Sequence, residues 1–188
     1  MKTLSKLLIA FCGFTAFTSA AHEAHVHGQA QMSLAVENQE VEIELEAPLA
    51  SFLSFEHEPT TDAQKKEVRN MALTLHKADS LFLLPVDAKC QITEISLESD
   101  AISNDLLSPD IPEDTAAHHH GHEASQHEEH SDIDVEITFA CRNPQKLNSL
   151  TVDLFRAFPN LQKINVQMVT PKGQGAAELT PQSNTLRW

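Results

Sequence analysis

A chain of 188 residues with 13 Lys and Arg against 27 Asp and Glu carries a formal charge of −14 at pH 7. That balance argues against nucleic acid and anionic membrane as partners, because both would repel it. An aromatic content of 5 % with no Tyr argues against a large ring-stacking pocket, and the length allows one domain or two small ones.

The first 20 residues read as an export leader. Lys2 and Lys6 form a basic start, Leu7 to Phe17 an apolar stretch, and Thr18-Ser19-Ala20-Ala21 a small-residue cleavage site. The apolar stretch is too short to span a bilayer, and no later one is long enough, so no membrane insertion is expected. Cys12 follows Phe11, where a lipidation signal would want a small residue. The mature protein is therefore expected in the periplasm, and loss of Lys2 and Lys6 takes its charge from −14 to −16 (−14 − 2).

In Gln29 to Leu45, Ala30, Met32, Leu34 and Val36 alternate with polar residues. Asn38-Gln39 makes a turn, and Val41, Ile43 and Leu45 alternate again, which predicts two paired strands. Pro48 ends the ladder. Leu49 to Phe55 reads as a short helix stopped by Pro59. Thr60-Thr61-Asp62 caps a longer helix whose dry side is Val68, Met71, Ala72 and Leu75. Leu81 to Leu84 is a short strand. Cys90 to Leu97 is another, with a phase shift between Ile92 and Ile95 that predicts a bulge.

An acidic stretch follows. Between Lys89 and Arg142 there are thirteen Asp and Glu and no Lys or Arg. Ile133, Val135, Ile137, Phe139 and Cys141 then form a clean period-two strand, expected to fold back on the strand from Cys90 as a hairpin. In an oxidising compartment Cys90 and Cys141 read as a disulfide at the open end of that hairpin, in preference to two thiolate zinc ligands. Leu147, Leu150, Leu154 and Phe158 recur at helical spacing and predict a helix over 146–158. Ile164, Val166 and Met168 predict a strand, Pro171-Lys172-Gly173 a turn, and Ala176 to Leu179 a last strand.

The order of elements predicts an α+β fold of antiparallel strands with segregated helices, allowing two similar β-α-β-β halves. Residues 1–20 are the leader, 21–99 the first half, 100–131 an acidic, His-rich flexible loop, and 132–188 the second half of the same domain.

The chemistry lies in the histidines. His118, His119, His120, His122, His127 and His130 share the loop with Glu123, Glu128 and Glu129, in a segment too polar to fold by itself. It reads as a collector with several metal sites of moderate affinity, since each binding event must also order the chain. Near the mature N-terminus stand His22, His25 and His27. His25 and His27 share one face of an extended segment, and Gly28 allows close backbone approach; His22 is as readily a bystander. Glu46 reads as a ligand, as a carboxylate orienting a ligating imidazole, or as a solvated strand-end acid. His57, between Glu56 and Glu58, reads as a ligand or as a polar turn residue. His76, in the last turn of the long helix, reads as structural.

Imidazole with carboxylate suits zinc, copper(II) or nickel, while the scattered Met32, Met71 and Met168 argue against a copper(I) carrier. No Gly-x-Ser-x-Gly, His-Glu-x-x-His, CxxC or phosphate loop is present, which argues against an enzyme. A zinc-dependent hydrolase would need three fixed ligands and an open position.

Ala24-His25-Val26-His27-Gly28-Gln29-Ala30, Glu42-Ile43-Glu44-Leu45-Glu46-Ala47-Pro48, Phe55-Glu56-His57-Glu58-Pro59, Phe158-Pro159-Asn160-Leu161 and Gln174-Gly175-Ala176-Ala177-Glu178-Leu179-Thr180-Pro181 together resemble the ZrgA family of periplasmic zinc-regulated proteins. Where that family carries two Gly or Ala residues before Phe-Glu-His, this chain has Leu53-Ser54. The resemblance implies a zinc-binding protein that assists zinc acquisition and feeds or buffers zinc for an ABC importer. It also implies a structured site drawing on His25, His27, Glu46, Glu56 and His57. The alternative on ligand chemistry alone is copper(II) or nickel sequestration.

Overall fold

Period-two alternation builds most of the architecture in the computed structural model, which describes residues 26–109 and 131–188. The expected leader, His22, His25 and the histidines from His118 to His130 lie outside the described residues. Strands β1 (Gln29–Glu37) and β2 (Glu40–Pro48) form the predicted hairpin, and Asn38 takes a φ of 53° in its tight turn. Thr61 caps α1 (Asp62–Leu75), where its hydroxyl accepts the Gln64 N–H and the Gln64 side chain returns the bond. Val68, Met71, Ala72 and Leu75 are its buried residues, as the spacing predicts. The expected helix after Pro48 is a single 3-10 turn, Leu49–Ser51.

A helical turn α2 (Ala78–Leu81) leads into the short strand β3 (Phe82–Leu83), and β4 (Cys90–Glu98) carries a register shift between Ile92 and Glu94. The linker expected from Asp100 is packed over its first part: α3 (Asn104–Leu107) buries Leu106 and Leu107, and Ile102 is 2 % exposed. His76 Nε2 donates to the Leu107 carbonyl at 2.9 Å, so this histidine ties α3 to the end of α1, in keeping with a structural role. Strand β5 (Asp132–Cys141) pairs antiparallel with β4, and Cys90 and Cys141 face each other and are disulfide-bonded. Their sulfurs are therefore not zinc thiolates.

The predicted helix over 146–158 is a correction. Its residues form a strand, β6 (Ser149–Val152), followed by one helical turn, α4 (Leu154–Ala157). Leu147, Leu150, Leu154 and Phe158 fit helical spacing, but Leu150, Val152 and Leu154 equally fit alternation. β-branched Thr151 and Val152 favour the strand, which is held between β3 and β9 (Thr185–Arg187), a strand not anticipated from the sequence. Leu150 and Val152 are fully buried there. The second half therefore lacks the long helix that a repeated β-α-β-β pattern would require.

Among the described residues the larger sheet has six strands in the order β4-β5-β2-β1-β7-β8, with β7 (Lys163–Thr170) and β8 (Gly173–Leu179) joined by the predicted turn. It is not wholly antiparallel. β1 pairs parallel with β7, which is possible because the long intervening chain supplies the crossover. One face is dry: Met32, Leu34, Ile43, Leu45, Ile133, Val135 and Ile137 are at most 2 % exposed and form one core with α1 and the β3-β6-β9 sheet. The other face carries Glu42, Glu44, Glu46, Asp134 and Glu136. Among the described residues no helix is long and apolar enough to cross a membrane.

Candidate metal centre

Two loops meet at one end of the sheet. The first is the turn before β1, closed by the Gln29 N–H donating to the Val26 carbonyl at 3.0 Å. Gly28 has a φ of 76°, and a Cβ there would lie 2.8 Å from the Asn160 carbonyl oxygen, so the turn has room only for glycine. The Gly28 carbonyl accepts the N–H groups of Gln162 and Lys163 at 2.7 and 3.0 Å. The Phe158-Pro159-Asn160-Leu161 segment thus has a physical role: it seats the turn that carries His27.

The second loop runs from Leu53 to Pro59. Its Ser54 N–H and hydroxyl both donate to the Glu67 carboxylate, at 2.7 and 2.9 Å. Helix α1 therefore fixes the path of the chain two residues before Glu56. At the far end Gln64 accepts the N–H groups of Thr60 and Thr61 at 3.0 and 3.1 Å.

These anchors bring His27 Nε2 to 3.0 and 3.1 Å from the two carboxylate oxygens of Glu56, across 29 residues of sequence. A carboxylate can only accept here, so Nε2 holds the proton between them. A divalent cation would replace that proton. Two donors at about 2.05 Å from a tetrahedral zinc stand about 3.3 Å apart, so the observed separation is close to one edge of a zinc tetrahedron. The side chains are 60 % and 21 % exposed, which leaves the pair open to an ion from solvent.

The other predicted ligands are distributed differently. His57 packs its ring against Phe55, with centroids 5.2 Å apart, and its Nδ1 lies 2.8 Å from the Glu58 carbonyl. Glu46 belongs to the open sheet face, opposite Gln31 on β1 and Asp134 on β5. Asp134 in turn is opposite Glu98 on β4. Burial first, then the charges of Glu46, Asp132, Glu98 and Asp100, hold the Asp134 carboxyl above the ordinary aspartate value of 3.8. Among the described residues no group of three or more His, Cys, Asp or Glu is close enough to hold a metal ion. The structure thus joins two of the predicted ligands, His27 and Glu56.

Sequence reasoning passed over the residues that hold these loops in place. Glu67 reads as part of a solvated helix face, yet it clamps Ser54. Gln64 was legible as the fourth residue of a Thr-x-x-Gln capping box.

A family model described as ZrgA family zinc uptake protein matches residues 24–188, a span that takes in both loops and every strand among the described residues. A search of curated proteins gives no significant match.

Proposed function

The chain belongs to the ZrgA family of zinc uptake proteins, and from that premise we propose that it is a periplasmic, non-enzymatic zinc-binding protein that feeds or buffers zinc for an ABC importer. Its zinc site is built in two tiers. His27 and Glu56 form the fixed part of a tight site completed by His25, two residues upstream, and by His57, while Glu46 adds negative charge from the neighbouring sheet face. The loop histidines His118, His119, His120, His122, His127 and His130 capture zinc at lower selectivity and raise its local concentration. The leader of residues 1–20 accounts for the location.

The observation that carries this reading is the His27–Glu56 pair: an imidazole nitrogen and a carboxylate from distant loops, each loop anchored separately, with an atom spacing suited to zinc. Copper(II) outcompetes zinc at nearly any nitrogen and oxygen site, so a ranking of affinities does not decide the physiological metal. The test is chelator-competition titration of the mature protein with zinc. His27→Ala and Glu56→Ala should each weaken the tightest zinc step by at least about 100-fold, since losing a ligand costs more than losing an outer-shell partner of one. Tight binding unchanged in both variants would contradict the site.

A further inference from the structure

The His57 ring has a partner of defined polarity at each nitrogen. Nδ1 lies 2.8 Å from the Glu58 main-chain carbonyl, which can only accept, so Nδ1 carries a proton. Nε2 lies 3.5 Å from the side-chain nitrogen of Gln64. The orientation of that amide is fixed by the main chain. Its other end receives the N–H groups of Thr60 and Thr61 at 3.0 and 3.1 Å, and a main-chain N–H can only donate, so that end is the oxygen. The Gln64 –NH2 therefore faces Nε2 as a donor, and Nε2 must present its lone pair.

We infer that Gln64 is a positioning residue for the zinc site, holding His57 together with the Glu58 carbonyl as the Nδ1–H tautomer with Nε2 as its metal-donating atom. The inference rests on the proposed role of His57 as a ligand. Free histidine in water favours the opposite tautomer, with the proton on Nε2. The Glu58 carbonyl is the kind of partner that zinc-bound imidazoles keep on their other nitrogen. The Gln64 contact, at the outer limit of hydrogen-bond length, is weak enough for zinc to displace. Phe55 beside the ring restricts its rotation. Gln64 thereby links the helix cap of α1 to the donor atom offered by the loop.

The test is long-range 15N–1H correlation NMR on the zinc-free mature protein at about pH 8, where imidazoles are neutral. The His57 signals are assigned by their loss in His57→Ala. The expected result is a pyrrole-type Nδ1 and a pyridine-type Nε2. Gln64→Glu retains the capping box, since Glu is an ordinary residue at that position, but it sets a carboxylate oxygen against Nε2. Nε2 should then gain a proton, giving either the Nε2–H tautomer or an imidazolium that keeps Nδ1–H on the Glu58 carbonyl, with helix content by circular dichroism unchanged. A His57 that already carries its proton on Nε2 in the parent, or one whose Nε2 stays pyridine-type in Gln64→Glu, overturns the inference. Zinc is added afterwards as a separate readout. If the zinc-free tautomer is as expected and zinc shifts Nε2 but leaves Nδ1 pyrrole-type, the positioning role is supported. If zinc moves neither nitrogen, the tautomer assignment stands, while both the ligand role of His57 and the positioning role of Gln64 in the zinc site fail.

Discussion

Asp134→Asn should stabilise the protein at neutral pH. Asp134 is the middle member of a row of carboxylates across three strands, directly opposite Glu46 on one side and Glu98 on the other. Like charges directly opposite in a sheet destabilise it, by about 0.2–1 kcal/mol per pair in magnitude. Removing the central charge relieves two such pairs, and solvent screening at this exposed face trims the gain to about 0.3–1.5 kcal/mol. At roughly 2–4 °C per kcal/mol for a protein of this size, Tm should rise by about 1–6 °C. The pH dependence has a defined sign. The folded-state pKa is raised above 3.8, so the folded protein holds the Asp134 proton more firmly than the unfolded chain does. Stability therefore falls as pH rises from 3.8 through the higher folded value, and the penalty is fully present above it. The gain from Asp134→Asn should be largest at pH 7, shrink with added salt, and vanish below pH 3.8. Thermal melts of both proteins across this pH range, at low and high salt, measure it. A variant less stable than the parent at pH 7 in the absence of metal would refute the reasoning, because it would show the carboxylate to be stabilising.

Three further outcomes follow from particular residues. Gly28→Ala forces a Cβ against the Asn160 carbonyl at a φ of 76°, so it should cost about 1–3 kcal/mol in melts and weaken tight zinc binding by displacing His27. An alanine variant with parental Tm and zinc affinity would show that the turn does not position the site. Replacing both cysteines, Cys90→Ser with Cys141→Ser, opens a closure spanning 51 residues, worth about 4 kcal/mol in loop entropy, and should lower Tm by roughly 8–16 °C. A loss below about 1 kcal/mol would mean the β4–β5 ladder suffices alone. Zinc held mainly by imidazole must compete with protons around pH 6.5, so the protein should release it below about pH 6, and full stoichiometry at about pH 5 would contradict a His-dominated site.

Much of the fold was legible because its strongest signals are local. Alternation in β1, β2 and β5 has a single reading, and the buried face of α1 follows from four residues at helical spacing. The phase shift at Ile92 marked the bulge, and the cysteine pair closed the hairpin. The stretch 146–158 was misread because four residues fit both periods, and the choice was made by β3 and β9, which lie far away in sequence. The parallel β1–β7 pairing was equally invisible, since it depends on a crossover that no local pattern encodes. At the site, residue chemistry picked out His27 and the family resemblance added Glu56, but neither showed that they meet. Their meeting depends on Glu67 holding Ser54 and on Gly28 fitting against Asn160, contacts between segments that carry no motif in common.

The most direct test of the two-tier site is zinc titration of three forms under chelator competition: the mature protein, one lacking residues 114–131, and His25→Ala/His27→Ala. The loop deletion should keep the tight step and lose the weaker equivalents, whereas the double substitution should lose the tight step and keep the weaker ones. Tight binding that disappears with the loop and survives the double substitution would contradict the account.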